Sequence, residues 1–144
     1  MAKDFFSREE IDEIKAAIAA AENHSSGEIR LHLENHCKED LMDRAAYIFE
    51  QLEMHKTKLR NGVLFYLAIE DHQFAILGDV GINQKVPEGF WDEVRDLMQS
   101  EFRKGNHKLA LIEGIKMSGM KLKEFFPLAD DDKNELSDEI SFGK

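Results

Sequence analysis

An α/β fold, with a mixed sheet of three to four strands and helices on both faces, is predicted by three features of this 144-residue chain. Residues 28–34 alternate strictly between apolar and polar side chains, the period of a strand that lays one face on a core. Residues 63–69, Val-Leu-Phe-Tyr-Leu-Ala-Ile, form an apolar run too short for a typical helix. Rich in strand formers and without alternation, it suits a central strand covered on both sides. Helical periodicity lies before, between and after these strands, so the order reads αβαββαα.

Each element has its own local signals. Ser7-Arg8-Glu9-Glu10 is a capping box, in which hydroxyl and carboxylate satisfy orphan amides reciprocally. Ile11, Ile14, Ile18 and Ala21 then form one helical stripe, stopped at Asn23-His24-Ser25-Ser26-Gly27. In the first strand Ile29, Leu31 and Leu33 point to the core, while Arg30, His32 and Glu34 point the other way. Asp40 can cap a second helix whose seam is Leu41, Ala45, Ile48, Phe49 and Leu52. A helix between the first two strands is the connection parallel neighbours need. The short polar link Glu70-Asp71-His72-Gln73 instead suits a hairpin, so Phe74–Leu77 should return antiparallel.

Gly78-Asp79-Val80-Gly81 opens a loop that runs through Pro87. A helix from Glu88 or Gly89 carries Phe90, Trp91, Val94, Leu97, Met98 and Phe102, with Gly105 placed to end it as a left-handed cap. Asn106 begins a last helix with Leu111, Ile115, Ser118, Leu122 and Phe125 on its seam, and Pro127 stops it. Residues 1–127 therefore form one domain. Residues 128–144 hold six acids against Lys133 and Lys144 with few apolar groups, a tail expected to stay mobile.

Composition narrows the function classes. The chain is 42% hydrophobic and 33% charged, which excludes collagen-like, wholly disordered and disulfide-scaffold proteins. Cys37 is the only cysteine, so no intrachain disulfide forms and a reducing compartment is expected. No apolar run reaches the ~18–20 residues of a membrane span, and the first residues lack the apolar stretch of a secretory signal. A soluble, cytoplasmic, monomeric domain is expected. Net charge is −10, a field that repels phosphate backbones unless a basic patch overrides it. The two basic stretches, His55–Arg60 and Arg103–Lys108, do not interleave aromatic residues as a single-strand binder would. Nucleic-acid binding is not expected.

Phosphate-loop, dinucleotide, nucleophile-elbow and HExxH signatures are absent from the sequence. His32, His36 and Cys37 are zinc-type ligands, but on an extended chain the two histidines lie about 13 Å apart, too far to share an ion without a turn. A better constellation follows from topology. With the first two strands parallel and the third antiparallel, Gly27-Glu28, Arg60-Asn61-Gly62 and Gly78-Asp79-Val80-Gly81 gather at one sheet edge, beside Pro87-Glu88. Glu28, Asn61, Asp79 and Glu88 supply the hard oxygens that suit Ca²⁺ or Mg²⁺. The same residues also serve as ordinary turn formers. Glu34, Asp40, Glu70 and Asp71 collect at the opposite end, where Asp40 reads as a cap and Glu70-Asp71 as a turn.

Gly27-Glu28-Ile29, Asn61-Gly62-Val63-Leu64, the glycine loop followed by Pro87-Glu88, and Phe102-Arg103-Lys104-Gly105-Asn106 leading to Ala110 and Gly114 occur in the order and spacing of a known family. From about Ser26 through Phe126 the chain resembles the TPM domain. The resemblance implies an αβα sandwich, divalent-metal binding, an acid-phosphatase activity in some members, and noncatalytic partnership with membrane complexes in others. Two positions depart from the family pattern. Arg60 stands where the family usually has Asp before Asn-Gly, and Asp79-Val80-Gly81 replaces a Gly-aromatic-Gly loop. The reading is a divalent-metal-binding interaction module with a protein or membrane-complex partner. The alternative is a metal-dependent phosphatase of phosphate monoesters, with Arg60 contacting the phosphate.

Overall fold

The computed structural model describes residues 2–128 and 140–143. Helix α1 (Arg8–Glu22) starts at the capping box its sequence implies: the Glu10 N–H donates to the Ser7 hydroxyl, and the Ser7 N–H to the Glu10 carboxylate. Strand β1 (Glu28–Glu34) leads into α2 (Leu41–Gln51), capped by Asp40, which accepts from the Met42 and Asp43 amides. Strands β2 (Gly62–Ala68) and β3 (Gln73–Gly78) form the hairpin. Three helices follow, α3 (Val80–Lys85), α4 (Asp92–Arg103) and α5 (His107–Leu122), and then a two-residue strand, β4 (Ser141–Phe142).

The sheet order is β3-β2-β1-β4. Strand β1 runs parallel to β2 with Glu28 opposite Gly62 and Glu34 opposite Ala68. Strand β3 runs antiparallel to β2, with Val63 opposite Gly78. All seven residues of β2 are buried, and the strand feeds both sides of the sheet. Val63, Phe65 and Leu67 join Ile29, Leu31 and Leu33 of β1 in the larger core, with Ile14 and Ile18 of α1, Met98 of α4 and Ile115 of α5. Leu64, Tyr66 and Ala68 join Ala45, Ile48 and Phe49 of α2 in the smaller core. Helices therefore cover both faces, as the unbroken apolar run of β2 requires.

The structure departs from the sequence reading in four places. The face of β1 carrying Arg30, His32 and Glu34 is not solvated; His32 is 5% exposed and Glu34 2%. The loop after β3 contains α3, which is too short to show a helical period. Helix α4 begins at Asp92 instead of Glu88 or Gly89, because Gly89 sits at φ +78° and the Phe90 and Asp92 amides close turns on Pro87 and Gly89. The tail expected to be mobile contributes β4, and Ile140 is buried; residues 129–139 of that tail lie outside the described residues. Gly105, at φ +82°, does end α4 in the left-handed region.

Helices α1 and α5 approach closely at Gly119, where an added Cβ would lie 2.8 Å from the Ala21 Cβ and 3.0 Å from its carbonyl oxygen. On an open helix face, Gly→Ala would gain up to about 1 kcal/mol. Here overpacking against backbone costs roughly 1–3 kcal/mol. Gly119→Ala is therefore expected to lower stability by about 1–2 kcal/mol in urea denaturation, opposite in sign to helix propensity.

Candidate functional site

Parallel β1 and β2 place their first residues at the same edge as the last residues of β3. The Glu28 N–H donates to the Asn61 carbonyl (3.2 Å), the Asp79 N–H to the Gly62 carbonyl (2.9 Å), and the Gly81 N–H to the Arg60 carbonyl (2.8 Å). A Cβ on Gly81 would run into the Leu59 and Arg60 carbonyl oxygens, so the glycine is needed for this close approach. The topology thus brings Glu28, Arg60, Asn61 and Asp79 together as expected.

Their side chains, however, have partners within the protein. Asp79 caps α3, accepting from the Val80 N–H (2.7 Å), and receives a two-pronged ion pair from Arg60 Nε (2.7 Å) and Nη2 (2.9 Å). Arg60 holds this pose from a left-handed backbone, φ +52°. Its hydrogen bond to Asp79 raises the guanidinium pKa further. Asn61 is buried and donates through Nδ2 to the Ser26 carbonyl (3.0 Å) and hydroxyl (3.3 Å), tying β2 to the turn before β1. Glu28 is buried with an interaction of its own. Glu88 is exposed in the turn between α3 and α4.

As placed, Glu28, Asn61, Asp79 and Glu88 do not fit a preassembled Ca²⁺ or Mg²⁺ site. Such a site needs several free oxygens converging on one point. Here one carboxylate, Asp79, is already neutralised by a guanidinium, and Glu88 is exposed in a separate turn. Among the described residues no group of three His, Cys, Asp or Glu side chains is arranged to hold a metal. The nearby hydroxyls also have structural roles: Ser25 Oγ accepts from the Gly27 N–H (3.1 Å), and Thr57 Oγ1 from the Asn61 N–H (3.2 Å).

A polar assembly that sequence reasoning missed lies toward the other end of β1, on the α2 side. The buried Glu34 carboxylate accepts from Arg44 Nε (2.9 Å) and Nη2 (2.6 Å) and from the Tyr66 hydroxyl (2.6 Å). His32 Nδ1 lies 2.6 Å from Ser141 Oγ, which donates to the Leu31 carbonyl (3.3 Å). With that hydroxyl proton committed, Nδ1–H is the donor to Ser141. His32 Nε2 stands 3.5 Å from Glu34 Oε2. Hydroxyl, imidazole and carboxylate are in a row, but the Ser141 proton goes to the Leu31 carbonyl and the imidazole donates to Ser141, so the row pins β4 to β1 instead of activating Ser141. Beyond it, His36 bridges Glu70 (2.6 Å) and Asp71 (2.8 Å), while the Cys37 thiol donates to the Glu39 carbonyl (3.2 Å). His32, His36 and Cys37 thus face different partners.

Burial pushes the Glu34 carboxyl up, yet the hydrogen bonds from Arg44 and Tyr66, with the Arg44 charge, outweigh it and hold the pKa at about 2. Burial dominates at His32 and moves it below its ordinary value despite Glu34. Burial and the Glu34 carboxylate both push the Tyr66 phenol up.

Comparison with known proteins agrees with this architecture. A model of the TPM domain matches residues 2–121. The BA42 protein of the psychrophilic bacterium Bizionia argentinensis, solved by NMR, is 47% identical over 98% of this chain and 97% of that one, with a TM-score of 0.94. The N-terminal domain of a P. gingivalis protein shares the fold at 21% identity, covering 85% of this chain and 80% of its own, with a TM-score of 0.69. So does the N-terminal domain of the Corynebacterium glutamicum cg2496 protein, at 18% identity, 81% and 76% coverage, and a TM-score of 0.59. No curated protein matches the chain.

Glu34 fixes the direction of an acid effect. A carboxylate held at about 2 against an ordinary 4.5 contributes fully above about pH 4.5 and loses its contribution as pH falls toward 2, on the order of 3 kcal/mol. Neutral His32 acts in the same direction, since the unfolded chain takes up a proton below its ordinary 6.5 that the folded state resists. Urea denaturation from pH 7 to pH 2.5 should show this loss, and Glu34→Gln should flatten it below pH 4.5. At pH 7, Arg44→Ala leaves a buried carboxylate without its cation and should cost about 3 kcal/mol.

Proposed function

The chain belongs to the TPM-domain family, and we propose that it works as a noncatalytic binding module in which Arg60 holds the edge carboxylate Asp79. The supporting observation is the two-pronged Arg60–Asp79 pair. It places a permanent cation where the family resemblance leads one to expect a divalent ion, at the position where relatives usually carry Asp. Ca²⁺ or Mg²⁺ would gain Asp79 only by displacing the guanidinium, and among the described residues no group of three His, Cys, Asp or Glu side chains is arranged to hold a metal. The exposed side chains of Leu59 and Val80 flank this pair and set apolar surface beside the ion pair, which supports a protein partner whose apolar contact is rimmed by the polar edge. Among the described residues no helix is long and apolar enough to cross a membrane.

The alternative, a phosphatase acting through a bound ion and Arg60, draws less support from the geometry. The hydroxyls at the edge are engaged in backbone hydrogen bonds, and Arg60 is committed to Asp79.

Amide NMR titration with Ca²⁺ and with Mg²⁺, run on the wild type and on Arg60→Ala, separates the readings. In the wild type, shifts at residues 78–81 are expected to remain unsaturated at low-millimolar metal. Removing the guanidinium should tighten binding by about tenfold or more, the equivalent of 1.4 kcal/mol. Saturation of the wild type at micromolar metal would overturn the proposal. So would metal-dependent hydrolysis of a phosphate monoester that disappears in Asp79→Ala.

A further inference from the structure

At the opposite end of the sheet from Arg60 and Asp79, the β2–β3 hairpin and the α4–α5 corner enclose a cleft of about 410 Å³. Its apolar lining comes from Leu67, Ile69, Phe74 and Phe102, and its polar lining from His72, Gln99, Arg103 and His107. The volume lies within the range of small-molecule sites, which combine a mostly apolar wall with a few placed polar groups.

Two observations give this cleft a chemical preference. The first is charge. In a chain of net −10, the lining contains an arginine and two histidines and no carboxylate. The neighbouring cations are engaged elsewhere: Lys104 with Glu101 (3.5 Å) and Lys108 with Glu13 (2.8 Å). Arg103 is exposed at the cleft and makes no ion pair among the described residues. An unpaired guanidinium presents a planar fork matched to a carboxylate.

The second is the placement of the imidazoles. His72 closes the hairpin at φ +55°, a left-handed position where glycine or asparagine costs less. The turn alone does not call for an imidazole there, yet this is the residue that borders the cleft. His107 is held from the other side: its Nδ1–H donates to the Gly105 carbonyl (3.1 Å), and the Phe5 and Phe102 rings lie 5.1 and 5.8 Å away. Its orientation is set by contacts within the protein, leaving Nε2 available.

We propose that this cleft binds a small organic carboxylate with a flat or branched apolar body. The body lies on Phe74, Phe102, Leu67 and Ile69, and the head group is clamped by Arg103 with His72 and His107 beside it. This site is separate from the Arg60–Asp79 edge and does not depend on how that edge functions.

The test is titration of the full chain with 2-naphthoate, followed by amide and methyl NMR, against 2-naphthamide as the uncharged isostere and acetate as the head group alone. Saturable shifts at residues 67–74 and 99–107 with a sub-millimolar Kd are expected. Binding should weaken about tenfold or more for the amide and for Arg103→Gln, the range of a lost two-pronged charged contact. His72→Asn, which suits the same turn, should weaken naphthoate more than it weakens the amide. Acetate should bind more weakly than naphthoate. Absence of saturable shifts at these residues, shifts confined elsewhere, or equal affinity for naphthoate and naphthamide would overturn the proposal. So would unchanged affinity in Arg103→Gln.

Discussion

Because both faces of β2 are buried, its backbone N–H and C=O groups have no access to water and must be satisfied by neighbouring strands. Strand β1 on one side and β3 on the other supply those partners, and helices must then cover both faces. This requirement determines where chemistry can be located. A parallel β1 and an antiparallel β3 bring Glu28, Arg60, Asn61 and Asp79 to one edge and the hairpin turn with His72 to the other. Neither group of residues is assembled by sequence proximity. Both follow from the satisfaction of one central strand.

The charge on the second face of β1 is a consequence of the same arrangement. Helix α2 covers β2 and β3 on that side through Ala45, Ile48 and Phe49. Beside that apolar cover, β1 presents Glu34, which is stable there only because Arg44 and Tyr66 complete its hydrogen bonds. A buried ion pair of this kind is weak evidence for net stability, since apolar residues of equal volume often do as well. What it supplies here is register. His32 can meet Ser141, and the Gly143 N–H can reach the Leu33 carbonyl (2.7 Å), only when β4 lies in its observed pairing.

Local patterns made much of this legible in the sequence. The Ser7 capping box, the Asp40 cap, the alternation of β1 and the apolar run of β2 each carry their cause within a few residues, and topology then gathered the edge cluster correctly. What could not be read depends on distant partners. Alternation along β1 marks two faces but not whether the polar one is wet; that depends on Arg44 and Tyr66, ten and 32 residues from Glu34. Strand β4 follows an acidic stretch and is held by a cross-strand histidine–serine pair, which leaves no trace in composition. Topology groups the oxygen-rich edge, but its pairing is not legible in sequence, because whether Arg60 replaces a ligand or neutralises one depends on side-chain geometry.

The two ends of the sheet treat charge in opposite ways, and this bears on what each can recognise. At the Asp79 edge, cation and anion satisfy each other, so a ligand must compete with an existing pair. At the hairpin end, Arg103 and two imidazoles border an apolar cleft without a carboxylate among its lining residues. Screening at physiological salt confines each field to about 8 Å, so a net charge of −10 does not cancel a cationic group at contact distance. It does oppose any extended polyanion, whose charges must lie across the acidic surface as well as the cleft. A compact monoanion meets only the local field. Its apolar body recovers burial free energy of about 25 cal/mol per Å², whereas a phosphate chain would place charge over Phe74 and Phe102. The arrangement therefore selects by size and by apolar content before it selects by charge.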